Sequence, residues 1–189
     1  MTPIVQSVTD IFSFLTVLAD ILAVFLFVIL TTSLHDKGWG KRVGMFFGKY
    51  AVLFSFIVSI GGVIGSLFYS EFAHFRPCEL CVLERGFLYT VAVIFVVAMI
   101  ERKEEHVRQY GNFVRNCTLI LSVAGLLVSA YHSWLQFGGG SVVPCSATGV
   151  SCAFVYFIEY GYVTIPMMAV TAFALVILFM TFHRKNSGI

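Results

Sequence analysis

The chain has 189 residues, of which 59% are hydrophobic, 16% aromatic and only 12% charged, with a mean hydropathy of +0.91. An ordinary soluble domain carries roughly 25% charged residues, so a soluble fold of this size could neither bury this much apolar surface nor cover what remains. A net charge of +2 without a basic run excludes nucleic-acid binding, and the hydrophobicity excludes disorder; the composition is that of an integral membrane protein.

A helix needs about 20 apolar residues to cross the hydrocarbon core, and five stretches qualify. The first runs from Ile11 to Leu34, interrupted only by Asp20. The residues before it, MTPIVQSVTD, lack the basic region of a signal peptide, and no small-residue cleavage site follows, so this stretch is expected to be a retained span. Asp20 stands near its middle. A lone intramembrane acid is usually functional or paired; here it is expected either to face another helix as a neutral group or to contact another membrane subunit. The remaining spans are expected from Tyr50 to Ser70, from about Leu80 to Ile100, from Cys117 to about Phe137 and from Gly161 to Phe182. Every connection is short, and there is no repeat, low-complexity segment or soluble domain.

The basic residues give the orientation. The segment from His35 to Lys49 carries Lys37, Lys41, Arg42 and Lys49, the segment from Glu101 to Asn116 carries Arg102, Lys103, Arg108 and Arg115, and the tail adds Arg184 and Lys185. Ten of the 12 basic residues therefore share one side, and only Arg76 and Arg85 fall on the other. The positive-inside rule then predicts an external N-terminus and a cytoplasmic C-terminus in a cell membrane.

That topology sorts the five cysteines. Cys78/Cys81 and Cys145/Cys152 fall at the outer face, where disulfides persist, whereas Cys117 falls near the cytoplasmic end of its helix and reads as a small buried hydrophobe kept reduced. Pro77 suits the first turn of a helix, which would put Cys78 and Cys81 in the opening turn of the third span. The positive end of the helix dipole favours a thiolate there, the species that exchanges disulfides. Cys78, Cys81 and Arg85 lie at i, i+3 and i+7 on one helix face. Arg85 could stabilise a thiolate, hydrogen-bond a carbonyl oxygen, pair with Glu84, or simply snorkel to the head groups. A CxxC with His74 close by could also be half of a zinc site. The six residues between Cys145 and Cys152, with no outer histidine besides His74 except His132 at a helix end, favour a dithiol/disulfide couple whose electron acceptor in a membrane would be a lipid-soluble quinone.

With these residues in view, the chain resembles the DsbB family of quinone-linked disulfide-generating membrane proteins, and within it the BdbC-like branch. The resemblance rests on Pro77-Cys78-Glu79-Leu80-Cys81 followed by Glu84-Arg85, on Tyr131-His132, on Pro144-Cys145 and Cys152, and on Tyr162-Val163-Thr164-Ile165-Pro166. It spans about Gly61 to Phe182. It implies an all-α membrane bundle with a four-helix core (37–189) preceded by one extra helix (1–36). It implies that a DsbA-like thioredoxin-fold partner reduces Cys145 and Cys152, with Cys145 forming the mixed disulfide. Electrons would then pass to Cys78 and Cys81, with Cys81 contacting a quinone (ubiquinone or menaquinone), Arg85 at a quinone carbonyl and His132 as a second quinone-site residue. No metal is expected. The order, CxxC before the loop pair, is the reverse of that in the related vitamin K epoxide reductases. The loop between His132 and Cys152 is short and glycine-rich, so partner docking is expected to differ from the family pattern. The aromatic residues Trp134, Phe154, Tyr156, Phe157, Tyr160 and Tyr162 read as an interfacial belt, with Phe154 to Tyr160 able to lie flat as an amphipathic segment. Two other classes compete with this reading: a non-enzymatic membrane subunit with structural disulfides, and an extracytoplasmic metal-binding membrane protein.

Overall fold

A computed structural model describes residues 2–32, 39–100, 107–140, 145 and 150–186. Lipid offers no partner to a backbone N–H or C=O, so each apolar run closes its hydrogen bonds within itself as a helix. The helices are α1 (Pro3–Thr32), α2 (Trp39–Lys49), α3 (Ala51–Leu67), α4 (Glu79–Ile100), α5 (Val107–Gln136) and α6 (Ile165–Asn186), and α3 is prolonged by a π-helical turn, Phe68–Phe72. All but α2 are long and apolar enough to span a membrane, α3 together with its π turn. Beyond an isolated bridge between Glu159 and Val163, the described residues form no strand.

Helix ends depart from the hydropathy pattern for local reasons. α1 begins at Pro3 rather than Ile11, because the Thr2 hydroxyl accepts from the Val5 N–H at 3.4 Å and proline suits the first helical position. α5 begins at Val107 rather than Cys117, as its polar first turns continue the helix beyond the apolar stretch. At its other end, Gly138 (φ +89°) takes the left-handed conformation of a Schellman cap, with Gly139 N–H donating to Trp134 O at 2.9 Å and Gly138 N–H to Leu135 O at 3.3 Å. α6 begins at Ile165 rather than Gly161, since Tyr160 (φ 51°) and Gly161 (φ 79°) form the tight turn closed by the Glu159–Val163 bridge. The segment expected to be a loop from His35 to Lys49 contains α2, whose Phe47 stacks on Phe179 of α6 at 6.0 Å. Leu34 and residues 35–38 lie outside the described residues.

α6 is the axis of the bundle. It packs on α1, α2, α3 and α5, and 50% of its apolar span is buried, against 17% of that of α1. At the end away from Cys78 the core is apolar and aromatic, built from Leu26, Val91, Phe95, Val176, Phe179 and Phe182. Outward faces carry large exposed apolar side chains, among them Ile11, Phe14, Leu18 and Ile21 on α1, as a lipid-facing surface requires.

Packing decides between two pairs of readings that the sequence left open. Phe154 to Tyr160 does not form a flat amphipathic helix: it is a turn-rich segment in which Phe157 is buried against Tyr69 (5.5 Å) and Tyr156 stacks on Phe75 (4.2 Å), leaving Phe154 and Tyr160 exposed. Asp20 faces another helix of the same chain, accepting hydrogen bonds from Thr171 Oγ1 of α6 at 2.6 Å and from Tyr162 Oη at 2.8 Å.

Close approach of α5 to α6 depends on Gly125, where a Cβ would run into the ring of fully buried Phe173. Small residues serve such contacts in membranes, where apolar burial alone gives helices little reason to associate. Gly125→Leu should therefore lower stability by about 1–3 kcal/mol, read as a lower thermal midpoint in detergent. A midpoint equal to that of the unmodified chain would show that the two helices can part without cost.

Candidate functional site

The site is built where α4 begins. Val82 N–H donates to Cys78 O at 3.1 Å, which makes Cys78 the N-cap residue of α4 and Glu79 its first helical residue. Pro77 thus stands just ahead of the cap rather than inside the first turn. A cap normally supplies a side-chain acceptor to the N–H three residues on; here the acceptor is sulfur, with Cys81 N–H donating to Cys78 Sγ at 3.4 Å. The two sulfurs lie 2.9 Å apart. A hydrogen bond from the Cys81 thiol, supported by His132 and by the Cys81 N–H, holds the Cys78 thiol well below its ordinary pKa, against the opposing effect of burial.

Behind Cys78, α5 presents His132. Its Nε2 is 3.6 Å from Cys78 Sγ and its Nδ1 is 2.9 Å from Oε1 of Glu84. His132 is 1% exposed and Glu84 5%, so neither is solvated by bulk water. A carboxylate at this depth needs a partner, and the imidazole provides it. With Nδ1–H donating to Glu84, Nε2 is left facing the sulfur as a proton acceptor, or as a donor once protonated. Glu84 is one helical turn beyond Cys81, so a continuous line of polar contacts runs from Cys78 through His132 back to α4.

Cys145 and Cys152 are joined by a disulfide with a Cα–Cα distance of 5.9 Å. It packs on the first pair: Cys78, Leu135 and Cys152 form one buried cluster against which Leu80, Cys81, Tyr131, Cys145 and Val150 lie. All four sulfurs therefore belong to a single apolar patch. Within it Cys152 is 2% exposed, whereas Cys145 is only partly buried. Tyr156 Oη donates to Arg76 O at 2.7 Å and so ties the segment after Cys152 to the strand of chain that leads into α4.

The opposite side of the CxxC faces a cavity of about 430 Å³ between α1, α3, α4 and α6. Cys81, Glu84, Arg85, Arg76 and Tyr156 are among its polar residues, and Leu88, Ile165 and Met168 among its apolar ones. The α3 wall includes the small residues Gly61, Gly62, Gly65 and Ser66 beside Ile57 and Val58; a Cβ at Gly61 would meet no protein atom within 4 Å, so the space it faces is open. Arg85 reaches across and donates through Nη2 to Ser66 O at 2.9 Å, in the last turn of α3 before the chain widens into the π-helical turn. One donor is used in that bond, of the five a guanidinium carries.

Of the residues expected to act, the structure gathers Cys78, Cys81, Cys145, Cys152 and His132 on one side of the α4 start and brings Arg85 to the cavity. His132 is not among the cavity residues; Glu84 stands between it and the cavity. Arg85 takes a carbonyl oxygen rather than Glu84 as its hydrogen-bond partner, and Glu84, which the sequence offered only as a partner for Arg85, pairs instead with His132 and joins the site. The signal for it was present: an acid inside a span, three residues after Cys81. Cys117 is a free, half-buried thiol on α5, fifteen residues and hence about 22 Å along the helix from His132. His74 is exposed and outside the cluster. Cys78, Cys81 and His132 each offer an atom within 4.8 Å of the others, a grouping that could reach one metal ion. Two sulfurs on one tetrahedral zinc, each at about 2.3 Å from it, stand roughly 3.7 Å apart; the pair here is closer, at 2.9 Å.

Comparison with known proteins agrees with this geometry. Residues 48–183 match the family model described as Disulfide bond formation protein DsbB. The SPbeta prophage-derived disulfide bond formation protein B of Bacillus subtilis is 32% identical over 128 residues, covering 68% of this chain and 81% of that protein. Disulfide bond formation protein C of the same organism is 33% identical over 128 residues (67% and 86%), and a probable disulfide formation protein of Chlamydia pneumoniae is 31% identical over 143 residues (76% and 98%). No solved structure gives a significant match. A membrane bundle that sets two cysteine pairs side by side, with a sequence match over most of its length, is a membrane disulfide-forming oxidoreductase, and the chain belongs to the DsbB family, with relatives in its BdbC-like branch.

Proposed function

We propose that the chain oxidises the dithiol of an extracytoplasmic thioredoxin-fold partner and hands two electrons, through Cys145–Cys152 and then Cys78–Cys81, to a quinone held in the cavity beside Arg85. The observation that carries this reading is the position of Cys81, which touches the sulfur cluster on one side and lines an apolar cavity with a guanidinium on the other. The cavity fits such a ring: its walls are apolar, Gly61 leaves room, and Arg85 offers donors for a carbonyl oxygen. When bound, a quinone supplies a two-electron, two-proton acceptor that dissolves in the bilayer.

The residues suit a sequence of exchanges in which every bond broken is matched by one formed. A partner thiolate attacks the more accessible Cys145, and Cys152 leaves as a thiolate. Cys152 lies in the same buried cluster as Cys78, so it attacks Cys78 of the Cys78–Cys81 disulfide and releases Cys81 as a thiolate at the cavity wall, near Arg85. The partner's second thiolate breaks the bond to Cys145 and departs as a disulfide; Cys145 recovers Cys152 and frees Cys78. Cys78 and Cys81 are both freed as thiolates, so the protons to be moved are the two that the partner's thiols give up on ionising; His132 can hold one at Nε2 and pass one from Nδ1 to Glu84 at the cavity wall. Loss of two electrons from the thiolate pair, with two protons taken up at the cavity, then restores the Cys78–Cys81 disulfide. The potentials need only fall in order along this path.

The orientation supporting this reading is an external N-terminus and a cytoplasmic C-terminus in the cell membrane, with the cysteine pairs opposite the ten basic residues that favour the cytoplasm. Extracytoplasmic surroundings keep thiol pairs able to cycle.

Three measurements test the scheme. Cys152→Ser should accumulate a mixed disulfide between Cys145 and a thioredoxin-fold protein, identified by mass spectrometry; recovery of no such adduct, or of one through Cys78, would overturn the entry point. Arg85→Ala should raise the apparent KM for quinone about tenfold or more, the loss expected for a charge-assisted hydrogen bond, while both disulfides still form; unchanged quinone kinetics would remove Arg85 from the site. In the reduced protein, alkylation of Cys78 should continue well below the ordinary thiol pKa of about 8.5, because its thiolate is stabilised, and fall only as acid protonates it. Cys81→Ala removes the largest cause of that stabilisation and should move the fall to higher pH; an unmoved profile would refute the pairing. A metal-binding role predicts instead one zinc or copper ion per purified chain, lost in Cys78→Ser.

A further inference from the structure

We propose that α1 is the lipid-side wall of the cavity, pinned in place by Asp20, and that this helix sets how tightly the site retains its quinone. The inference rests on the quinone reading above. α1 lies ahead of the segment that matches the family, residues 48–183, so it is an addition to the helices that carry the cysteines and Arg85. Yet Phe12, Leu15, Thr16 and Ala19 line the cavity. They form one stripe at helical spacing, with Leu15 at its exposed edge, while Ile11, Phe14, Leu18 and Ile21 on the other faces are exposed. α1 therefore stands between the cavity and the surrounding lipid, and without it the α3 and α6 walls would open to the bilayer.

Packing alone holds α1 weakly, since only 17% of its apolar span is buried. Polar contacts do the rest. Tyr69 Oη lies 3.5 Å from Thr9 Oγ1, and Gln6 Nε2 donates to Glu159 at 3.4 Å. The strongest contact is at Asp20, both of whose oxygens are engaged, by Thr171 at 2.6 Å and Tyr162 at 2.8 Å. Thr171 itself lines the cavity, so the pin sits at the wall it secures. The bond to Asp20 also holds the Tyr162 phenol above its ordinary pKa, as expected for a donor committed to an acid. Swinging α1 away would leave a carboxyl group in hydrocarbon without either hydroxyl, which opposes opening.

The test uses the full chain in lipid nanodiscs and the variants Asp20→Leu, Tyr162→Phe and Thr171→Val. Equilibrium dialysis with a short-chain ubiquinone and a short-chain menaquinone should show binding about tenfold weaker in Asp20→Leu, and a smaller loss in each hydroxyl variant. Alkylation of reduced Cys81 by a membrane-partitioning maleimide should rise in the same order, a change that a general loss of stability, followed by thermal midpoint, would not produce selectively over Cys117. If Asp20→Leu does not fold, the two hydroxyl variants decide. Wild-type affinity together with wild-type Cys81 labelling in the variants would overturn the proposal. If the unmodified chain binds neither quinone, the quinone reading fails, and the Cys81 labelling still decides whether α1 is a wall.

Discussion

The site depends on one constraint: a carboxyl group and an imidazole, both removed from water, must satisfy one another before anything else at the start of α4 can be fixed. Glu84 and His132 sit 2.9 Å apart on different helices. Breaking such a pair leaves an uncompensated polar group at a depth where solvation is unavailable, a penalty of several kcal/mol. This contact therefore locks the rotation of α4 against α5. That rotation turns the Cys78 sulfur toward Nε2 and the Cys81 sulfur toward the cavity. A helix presenting two thiols three residues apart would otherwise offer both to the same surroundings; here they are given different ones.

The difference in surroundings has a chemical consequence. Cys78 caps its helix, receives the Cys81 N–H and faces an imidazole, so it is the thiol whose ionised form the protein stabilises. A stabilised thiolate is a good leaving group and a weaker nucleophile, which suits the place in the exchange sequence that we propose for Cys78. Cys81 has an apolar cavity and Arg85 as neighbours. A thiolate released there is poorly solvated and therefore reactive, and the guanidinium is the group that can keep it charged. Division of labour between the two sulfurs follows from which helix face each occupies.

The spans and the cysteine pairs were legible because both are local. Twenty apolar residues declare a crossing whatever surrounds them, and Pro77-Cys78-Glu79-Leu80-Cys81 declares a dithiol at a helix start. What escaped was either short or distant. α2 has eleven residues, places Phe46 and Phe47 between Lys41-Arg42 and Lys49, and sits in a basic segment that reads as a loop. The starts of α1 and α5 are polar, so hydropathy sees only where each helix enters hydrocarbon, not where its hydrogen bonding begins. Glu84 lies next to Arg85 in sequence, which suggests that they pair; but neighbours on a helix point about 100° apart, and each finds its partner on another helix, 48 residues away for Glu84 and 19 for Arg85. Asp20 shows the same limit. Its isolation in the first span announced that it needed a partner, and nothing near it could reveal that Thr171, 151 residues on, would be that partner.

Pairing Asp20 at both oxygens also bears on how a helix outside the family match is held against the site. A lone apolar helix next to a membrane bundle gains little by packing, since lipid tails serve its surface about as well as neighbouring side chains do. Position along and around such a helix is then weakly specified. One acid with two hydroxyl partners changes this, because its satisfaction depends on both depth and rotation: a slip of one turn, about 5.4 Å, would break both bonds at once. The stripe Phe12, Leu15, Thr16 and Ala19 can face the cavity reproducibly only if something of this kind fixes the register. In α1, then, polarity in the wrong solvent supplies the specificity that apolar packing in a membrane does not.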